Sequence, residues 1–187
     1  GEFYSFIQNE VGNGRQVFVI CPLIDPSDKL GKKAVTEEFH KLDRDVFPDL
    51  RIGLLHGKLK PADKESVMRA FANHELDILV ATPVIEVGID IPNASVMMIE
   101  SAERFGLAQL HQFRGRVGRG EHQSYCFLFT ESESRPTLDR LQALVDSRDG
   151  FELAERDLDF RGPGEVYGVR QHGFDDVLRI AKLTDYH

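Results

Sequence analysis

The segment DILVATPVIEVGID, residues 77–90, decides the fold class of this chain. It begins with a short apolar run, Asp77 to Ala81, which is typical of a buried strand. The loop that follows contains a hydroxyl at Thr82, a glycine at Gly88 and a carboxylate at Asp90. Ligands of parallel sheets bind where strands end, so this loop is a candidate for holding a phosphate chain. Spacing alone also allows an ordinary connection between two strands.

Strands and helices alternate on both sides of this segment. Short apolar runs predict four more strands, at residues 16–21, 51–55, 96–99 and 125–129. Apolar residues at helical spacing predict helices in residues 28–47, from Pro61 onward and in residues 107–113. This alternation favours an α/β fold with a mainly parallel sheet and helices on both faces.

The pattern changes near residue 131, which divides the chain into a first domain, residues 1–130, and a second, residues 131–187. Leucines at helical spacing predict one helix early in the second domain, and residues 151–159 predict another, so that the two form a helical hairpin. The segment RGPGEVYGVRQHG, residues 161–173, contains four glycines and one proline. That content predicts a shaped loop and not a regular element.

Composition limits the class of protein. The chain has 187 residues, of which 41% are hydrophobic and 29% charged, as in soluble globular proteins. A net charge of −8 argues against a surface that binds nucleic acid everywhere. Residues 101–130 nevertheless carry four arginines against two glutamates, which allows a local basic site. Residues 131–160 carry nine acidic residues against four arginines, which is typical of a solvated or partner-facing helical surface.

The sequence indicates neither a membrane segment nor a metal site. Its apolar runs are far shorter than the roughly 18 residues of a membrane span, so we expect a cytoplasmic protein without a membrane partner. The two cysteines, Cys21 and Cys126, lie in apolar stretches without metal-binding spacing and are predicted to be core residues. The histidines also lack such spacing, and His56 and His111 are predicted to be hydrogen-bonded scaffold residues.

The second candidate site is the segment QLHQFRGRVGRG, residues 109–120. Its three arginines and three glycines suit neither a core nor a stable helix, because guanidinium groups stay charged and glycine weakens helices. Planar guanidinium groups bind phosphate oxygens bidentately and stabilise the charge that develops in phosphoryl transfer. An exposed basic loop is the alternative. The chain lacks a GxxxxGK[ST] loop, so the arginines complete a site whose other half must come from another domain.

Together these segments resemble a known family. Residues 82–90 and the spacing QxxGRxGR in residues 112–119 resemble motifs V and VI of superfamily 2 helicases. Three further segments narrow the resemblance to the RecG-like family of DNA helicases: IESAERFGLAQLHQ (99–112), QVFVICPLID (16–25) and DGFELAERDLDFRGPGEVYGVRQ (149–171). The transcription-repair coupling factors are the nearest alternative. The resemblance implies a RecA-like fold of the P-loop NTPase type, a parallel sheet flanked by helices, followed by a translocation helical hairpin and loop.

The resemblance also implies roles for the residues near a nucleotide. Arg119 would be the arginine finger on the γ-phosphate, and Arg116 a second contact to phosphate or to a carboxylate of a neighbouring domain. Gly88 and Asp90 would lie near the ribose and the interdomain cleft. Gln112 would help to couple nucleotide and DNA. ATP and Mg²⁺ would be held mainly by a first RecA-like domain that lies outside this sequence, so the isolated chain is expected to be inactive.

For DNA, the resemblance implies that Thr82 contacts the phosphate backbone of the tracked strand and that Arg161 and Gln171 act in the translocation loop. The implied function is that of the C-terminal motor domain of an ATP-dependent DNA helicase that acts on branched or forked DNA in recombination and fork repair. Its expected partners are that DNA and the first RecA-like and wedge domains of the same protein.

Two functions of other classes remain open. A non-motor protein would use such a domain as an interaction module, although the retained arginines of residues 112–119 argue against this. An RNA helicase of another branch is the second possibility, and the translocation-type segment disfavours it. ATP hydrolysis that is stimulated by branched DNA, and not by RNA, separates these alternatives.

Overall fold

The computed structural model describes residues 2–22, 32–83, 93–114, 123–130, 132–145, 151–154 and 165–171. From residue 16 to residue 145, the main helices and strands follow the predicted order. The helices are α1 (Glu2–Gly12), α2 (Lys32–Lys41), α3 (Pro61–Ala72), α4 (Leu107–Arg114) and α5 (Arg135–Val145). The strands are β1 (Gln16–Ile20), β2 (Ile52–Leu55), β3 (Ile78–Ala81), β4 (Ala94–Ile99), β5 (Ser124–Thr130), β6 (Phe151–Ala154) and β7 (Glu165–Gln171).

All described strands form one sheet in the order β2-β3-β1-β4-β5-β7-β6. The strands β1 to β5 are parallel, and β7 and β6 extend the sheet beyond β5 in antiparallel orientation. Strand β1 is central, because Ile20 pairs with Ala81 of β3 on one side and with Ile99 of β4 on the other. The predicted mainly parallel sheet is therefore confirmed.

The sheet separates two apolar cores, because successive side chains of a strand point to opposite faces. In β1, Phe18 and Ile20 belong to the core that α3, α4 and α5 cover, and Val17 and Val19 belong to the core that α1 and α2 cover. All five residues of β1 are buried. This explains why residues 17–20 of β1 are continuously apolar and not alternating, as expected for a strand covered on both sides.

The helix boundaries follow from local sequence. Helix α2 continues into a π-helical turn, Leu42–Val46, and Pro48 follows shortly after it. Helix α3 begins with Pro61 at its first position, where the missing amide costs no hydrogen bond. No helix in the described part of the chain is long and apolar enough to cross a membrane. Cys21 and Cys126 are buried and free, as predicted.

The C-terminal segment differs from the predicted hairpin and loop. Helix α5 is the first predicted helix, but Phe151–Ala154, predicted to begin a second helix, forms β6. Glu165–Gln171, predicted to belong to a loop, forms β7 and pairs with β5 along its whole length. Pairing covers the backbone groups that the outer edge of β5 would leave open, and this long-range gain outweighs the local effect of glycine. The domain division at residue 131 stays a prediction.

Gln16 is a buried polar residue at the amino end of β1. Its Nε2 donates hydrogen bonds to the carbonyl oxygens of Phe71 (2.6 Å) and Leu76 (2.8 Å), and its Oε1 accepts one from Asn93. We expect Gln16→Leu to lower the free energy of unfolding by about 2 kcal/mol, because buried carbonyls lose their donor. Chemical denaturation measures this change. An unchanged free energy of unfolding would contradict the assigned role.

Candidate functional site at the carboxyl edge of the sheet

The five parallel strands end at one edge of the sheet, where ligands of such sheets bind. After two neighbouring strands the chain continues on opposite faces of the sheet: β1 leads to α2 on one face, and β4 leads to α4 on the other. Such a switch point opens a crevice between the strands. Among the described residues, those that directly follow these strands are Cys21 after β1, His56 after β2, Thr82 after β3 and Glu100 after β4.

Thr82 lies at this edge but faces inward. Its amide donates a hydrogen bond to the carbonyl oxygen of Leu55, and its side chain has 0% exposed surface. The hydroxyl oxygen has no hydrogen-bond partner. A contact between this hydroxyl and a DNA phosphate would require the chain around Thr82 to open. The DNA-contact role stays a prediction, and Gly88 and Asp90, the other two predicted residues of the segment, lie outside the described residues.

The turn between β4 and α4 positions the helix that leads to the arginine-rich segment. Ser101 adopts a left-handed backbone conformation (φ 47°, ψ 52°), which turns the chain sharply after the strand. The ring of Phe105 packs edge-on against Phe113 at 5.2 Å, and Leu110 is fully buried. Helix α4 is thereby fixed to the core, while Gln112 is exposed on its surface. Both phenylalanines are packing residues.

Arg140 of α5 holds this turn from the other side. Its Nη1 donates a hydrogen bond to the carbonyl oxygen of Phe105 (2.6 Å), and its Nη2 donates one to that of Glu103 (2.5 Å). The planar guanidinium fork suits two adjacent carbonyl groups. Sequence reasoning missed this residue, because it assigned residues 131–160 to a solvated or partner-facing surface. The available signal was an arginine next to Leu141, a core position of the same helix.

The other predicted site residues are only partly described. Arg116 and Arg119 lie in residues 115–120, directly after α4, and Arg161 lies in residues 155–164; both ranges are outside the described residues. Gln171 is described as the last residue of β7, paired with Ser124 at the amino end of β5. It therefore lies in a strand and not in a loop. The first residue of β7, Glu165, pairs with Thr130 at the carboxyl edge, about 20 Å from Gln171 at the usual rise per residue.

A cluster of polar side chains lies between α2 and this edge: Cys21, Glu38, Lys41 and Glu100. The Oε2 of Glu38 lies 4.0 Å from the Nζ of Lys41. Burial raises the pKa of Glu38, and Lys41 and Glu100 oppose that rise. Burial also raises the pKa of the Cys21 thiol, helped by the charges of Glu38 and Glu100. The thiol therefore stays neutral at physiological pH.

His56 is a scaffold residue, as predicted. It is 5% exposed, and its Nδ1 accepts a hydrogen bond from the amide of Lys58 at 3.1 Å. The side chain of His111 lies outside the described residues. Within the described ranges, no group of three or more histidine, cysteine, aspartate or glutamate side chains could hold a metal ion.

The match between this chain and a known domain family begins at residue 2 and ends at residue 121. The family is the helicase conserved C-terminal domain, and the match includes β1 to β4 and α1 to α4. The chain belongs to this family. Both sequence segments singled out above, residues 82–90 and 109–120, lie inside the match. Arg161 and Gln171 lie after residue 121, outside the match.

The chain is similar to RecG helicases over nearly its whole length. It is 54% identical over 184 residues to the ATP-dependent DNA helicase RecG of Synechocystis sp., covering 98% of this chain and 22% of that relative. It is also similar to a solved structure of RecG bound to a three-way DNA junction, with 46% identity and a TM-score of 0.65, covering 80% of this chain and 19% of that chain. The chain thus spans about a quarter or less of the length of these RecG proteins.

More distant helicases share the fold of this helicase domain. The structure of Mss116p bound to ssRNA and AMP-PNP has 22% identity and a TM-score of 0.58, covering 76% of this chain and 26% of that chain. Identity at this level shows the fold alone. The fold by itself therefore does not distinguish a DNA helicase from an RNA helicase.

Proposed function

We propose that this chain is the C-terminal motor domain of an ATP-dependent DNA helicase that acts on branched or forked DNA. The observation that supports this most strongly is the 54% identity with RecG, because it covers 98% of the chain. It therefore continues beyond residue 121, where the match to the general helicase domain ends. RNA helicases that share only the fold lack this sequence similarity to RecG. Since the DNA of bacterial cells lies in the cytoplasm, we propose that compartment for the whole protein.

Helix α4 is the scaffold for the nucleotide half-site. It ends at Arg114, two residues before Arg116 and five before Arg119, and its start is held by the Arg140 hydrogen bonds. We propose that Arg116 and Arg119 bind the phosphates of ATP and stabilise negative charge that develops on them. Bound ATP supplies a phosphoryl group for transfer to water, with Mg²⁺ held by a first RecA-like domain. Exposed Gln112 on α4 faces outward, as a residue that responds to nucleotide or DNA must.

Around that half-site, Gly88 and Asp90 would line the interdomain cleft near the ribose. Thr82 is at the carboxyl edge, and Glu165, four residues after Arg161, pairs with Thr130 at the same edge. The start of β7 therefore lies at the edge of the sheet where the parallel strands end. This position supports a coupling role for the preceding segment, which contains Arg161. Gln171 lies at the opposite edge, so its proposed contribution to coupling acts through β7. Contacts to DNA phosphates would make binding sensitive to salt and largely independent of sequence.

The test of the proposed function is ATP hydrolysis by the full-length protein. We expect a synthetic DNA fork to stimulate hydrolysis strongly and RNA of the same length to stimulate it little. Hydrolysis stimulated by RNA alone would support the RNA-helicase alternative. Absence of hydrolysis with either nucleic acid would support an interaction module. Displacement of a stalled RNA polymerase, together with DNA-stimulated hydrolysis, would support a transcription-repair coupling factor.

Arg161→Ala tests the coupling role separately. We expect the full-length variant to keep fork-stimulated ATP hydrolysis within about twofold and to lose at least about tenfold in the rate of fork unwinding, because coupling and phosphate chemistry use different arginines. Arg135→Ala is a suitable control, since the Arg135 side chain is 86% exposed on α5. Unwinding at the rate of the unmodified protein would remove Arg161 from the coupling mechanism.

A further inference from the structure

Asn93 lies where the chain that follows residues 82–90 enters strand β4, and its side chain forms hydrogen bonds that the sheet does not require. Its Nδ2 donates to the carbonyl oxygen of Gly14 (2.8 Å) and to Oε1 of Gln16 (3.2 Å). The backbone carbonyl of Asn93 also accepts a hydrogen bond from the amide of Gln16 at 3.0 Å. Asn93 is therefore fixed to the start of β1 through both its backbone and its side chain.

The two acceptors that Asn93 meets are themselves held by the fold. The Nε2 of Gln16 donates to the carbonyl oxygens of Phe71 and Leu76, so only its Oε1 faces Asn93. Gly14 lies in the turn before β1 with a φ of 84°, a backbone conformation that glycine adopts readily. Two fixed acceptors face one side chain, so this position requires a hydrogen-bond donor.

The pairing of β4 with β1 is irregular directly after Asn93. Consecutive residues of β1 pair with residues of β4 that are two positions apart, Gln16 with Ala94 and Val17 with Val96. Ser95 is the extra residue, and its Oγ donates a hydrogen bond to Oε2 of Glu10 in α1 at 2.8 Å. Such a bulge interrupts the ladder and redirects the chain, often beside a functional site. The side chain of Asn93 supplies the constraint that the ladder loses there.

This anchor is close in sequence to a residue of the proposed nucleotide half-site. Asn93 is three positions after Asp90, so their Cα atoms lie at most about 11 Å apart. Strand β5 pairs in parallel with β4, and its first residue, Ser124, is five positions after Arg119. The two segments that carry the proposed nucleotide contacts therefore enter the sheet on neighbouring strands.

We propose that Asn93 is a positioning residue for nucleotide binding, whose amide fixes the end of the segment that contains Asp90. Asn93 itself is assigned no contact with nucleotide or DNA. The inference rests on the proposed function, in which Asp90 lies near the ribose. A contact that is equally strong in the bound state and in the transition state changes KM and leaves kcat unchanged. Misplacement of Asp90 therefore changes KM for ATP.

The first test is steady-state ATP hydrolysis by the full-length protein with saturating forked DNA. We expect Asn93→Ala and Asn93→Asp each to raise KM for ATP about five- to tenfold, as for the loss of one hydrogen bond, and to keep kcat within about twofold. Aspartate keeps the size of the side chain but has no donor. Ser95→Ala removes a hydrogen bond from the same end of β4 and should leave KM unchanged. An unchanged KM in both Asn93 variants, or an equal rise in Ser95→Ala, would overturn the proposal.

A double-mutant cycle determines whether Asn93 acts through Asp90. We expect Asp90→Ala to raise KM for ATP, and the addition of Asn93→Ala to raise it by less than about twofold more, because two changes to one contact are not additive. A further rise as large as that of Asn93→Ala alone contradicts the positioning role. A normal KM for Asp90→Ala contradicts it as well.

Hydrogen exchange distinguishes failure of this inference from failure of the proposed function, because it uses neither ATP nor DNA. In the full-length protein we expect Asn93→Ala to speed amide exchange in residues 84–92, and Ser95→Ala to leave it unchanged. Equal exchange in the two variants rejects the anchor, whatever the helicase activity. Faster exchange in Asn93→Ala alone, without fork-stimulated hydrolysis by the unmodified protein, supports the anchor and rejects the proposed function.

Discussion

Arg119→Ala is expected to lower the rate of ATP hydrolysis by the full-length helicase about 10³- to 10⁵-fold. The proposed role of Arg119 is that of an arginine finger, which stabilises charge that develops on the phosphates in the transition state, and this sequence contains no GxxxxGK[ST] loop that could replace it. Steady-state hydrolysis with saturating forked DNA measures the effect. We expect the thermal unfolding of the variant chain to match that of the unmodified chain, because the proposed role of Arg119 lies in phosphate chemistry and not in the fold.

Two further variants complete this test: one separates charge from geometry at position 119, and the other is a control. Arg119→Lys keeps the positive charge but loses the planar fork, so we expect it to recover only a small part of the lost rate. Arg104→Ala removes an exposed arginine from the turn before α4 and should hydrolyse ATP at a nearly normal rate. Normal hydrolysis by Arg119→Ala would refute the phosphate role and favour the interaction-module alternative.

Arg140→Ala is expected to have the largest effect on stability, a loss of about 3 kcal/mol in the free energy of unfolding. The Arg140 guanidinium donates to the carbonyl oxygens of Phe105 and Glu103, and removal of a charged donor leaves both acceptors without that partner. Chemical denaturation of the chain measures the change. In the full-length protein we also expect slower ATP hydrolysis, because the turn that positions α4 loses its support.

The control for Arg140→Ala is Arg135→Ala on the same helix. The Arg135 side chain is 86% exposed and pairs only with Asp139 in the described contacts, so its loss should cost less than about 0.5 kcal/mol. Arg140→Lys can reach one carbonyl at a time and should fall between the two. Equal losses for Arg135→Ala and Arg140→Ala would mean that the hydrogen bonds to the turn do not stabilise the fold.

The sequence was sufficient where local signals and buried patterns agree. The strand at residues 16–21 was predicted from its short apolar run, and the structure places β1 there as an interior strand of the sheet. Pro61 correctly marked the start of α3. The resemblance carried by residues 99–112 and 149–171 also identified the RecG-like relatives, because such strings combine many residue choices at once.

The C-terminal segment was predicted less well, for a physical reason. Glycines at positions such as Gly168 indicated a loop, yet Gly168 pairs with Phe127 in the middle of β7. Local propensity favours a turn there, but the open edge of β5 provides hydrogen bonds from a strand distant in sequence. The segment EVYGVRQ, residues 165–171, does not alternate regularly between apolar and polar residues, so it gave no clear strand signal by itself.

The alternating α/β order, the family and the segments where chemistry is expected could be read from the chain, because they depend on residues close together in sequence. Which distant side chains come into contact depended on the assembled fold. Arg140 donates to the carbonyl of Phe105, 35 positions away, and Gln16 donates to the carbonyl of Phe71, 55 positions away. Such contacts depend on strand order and on which face each helix covers. No local pattern contains that information, because it arises only when the sheet is assembled.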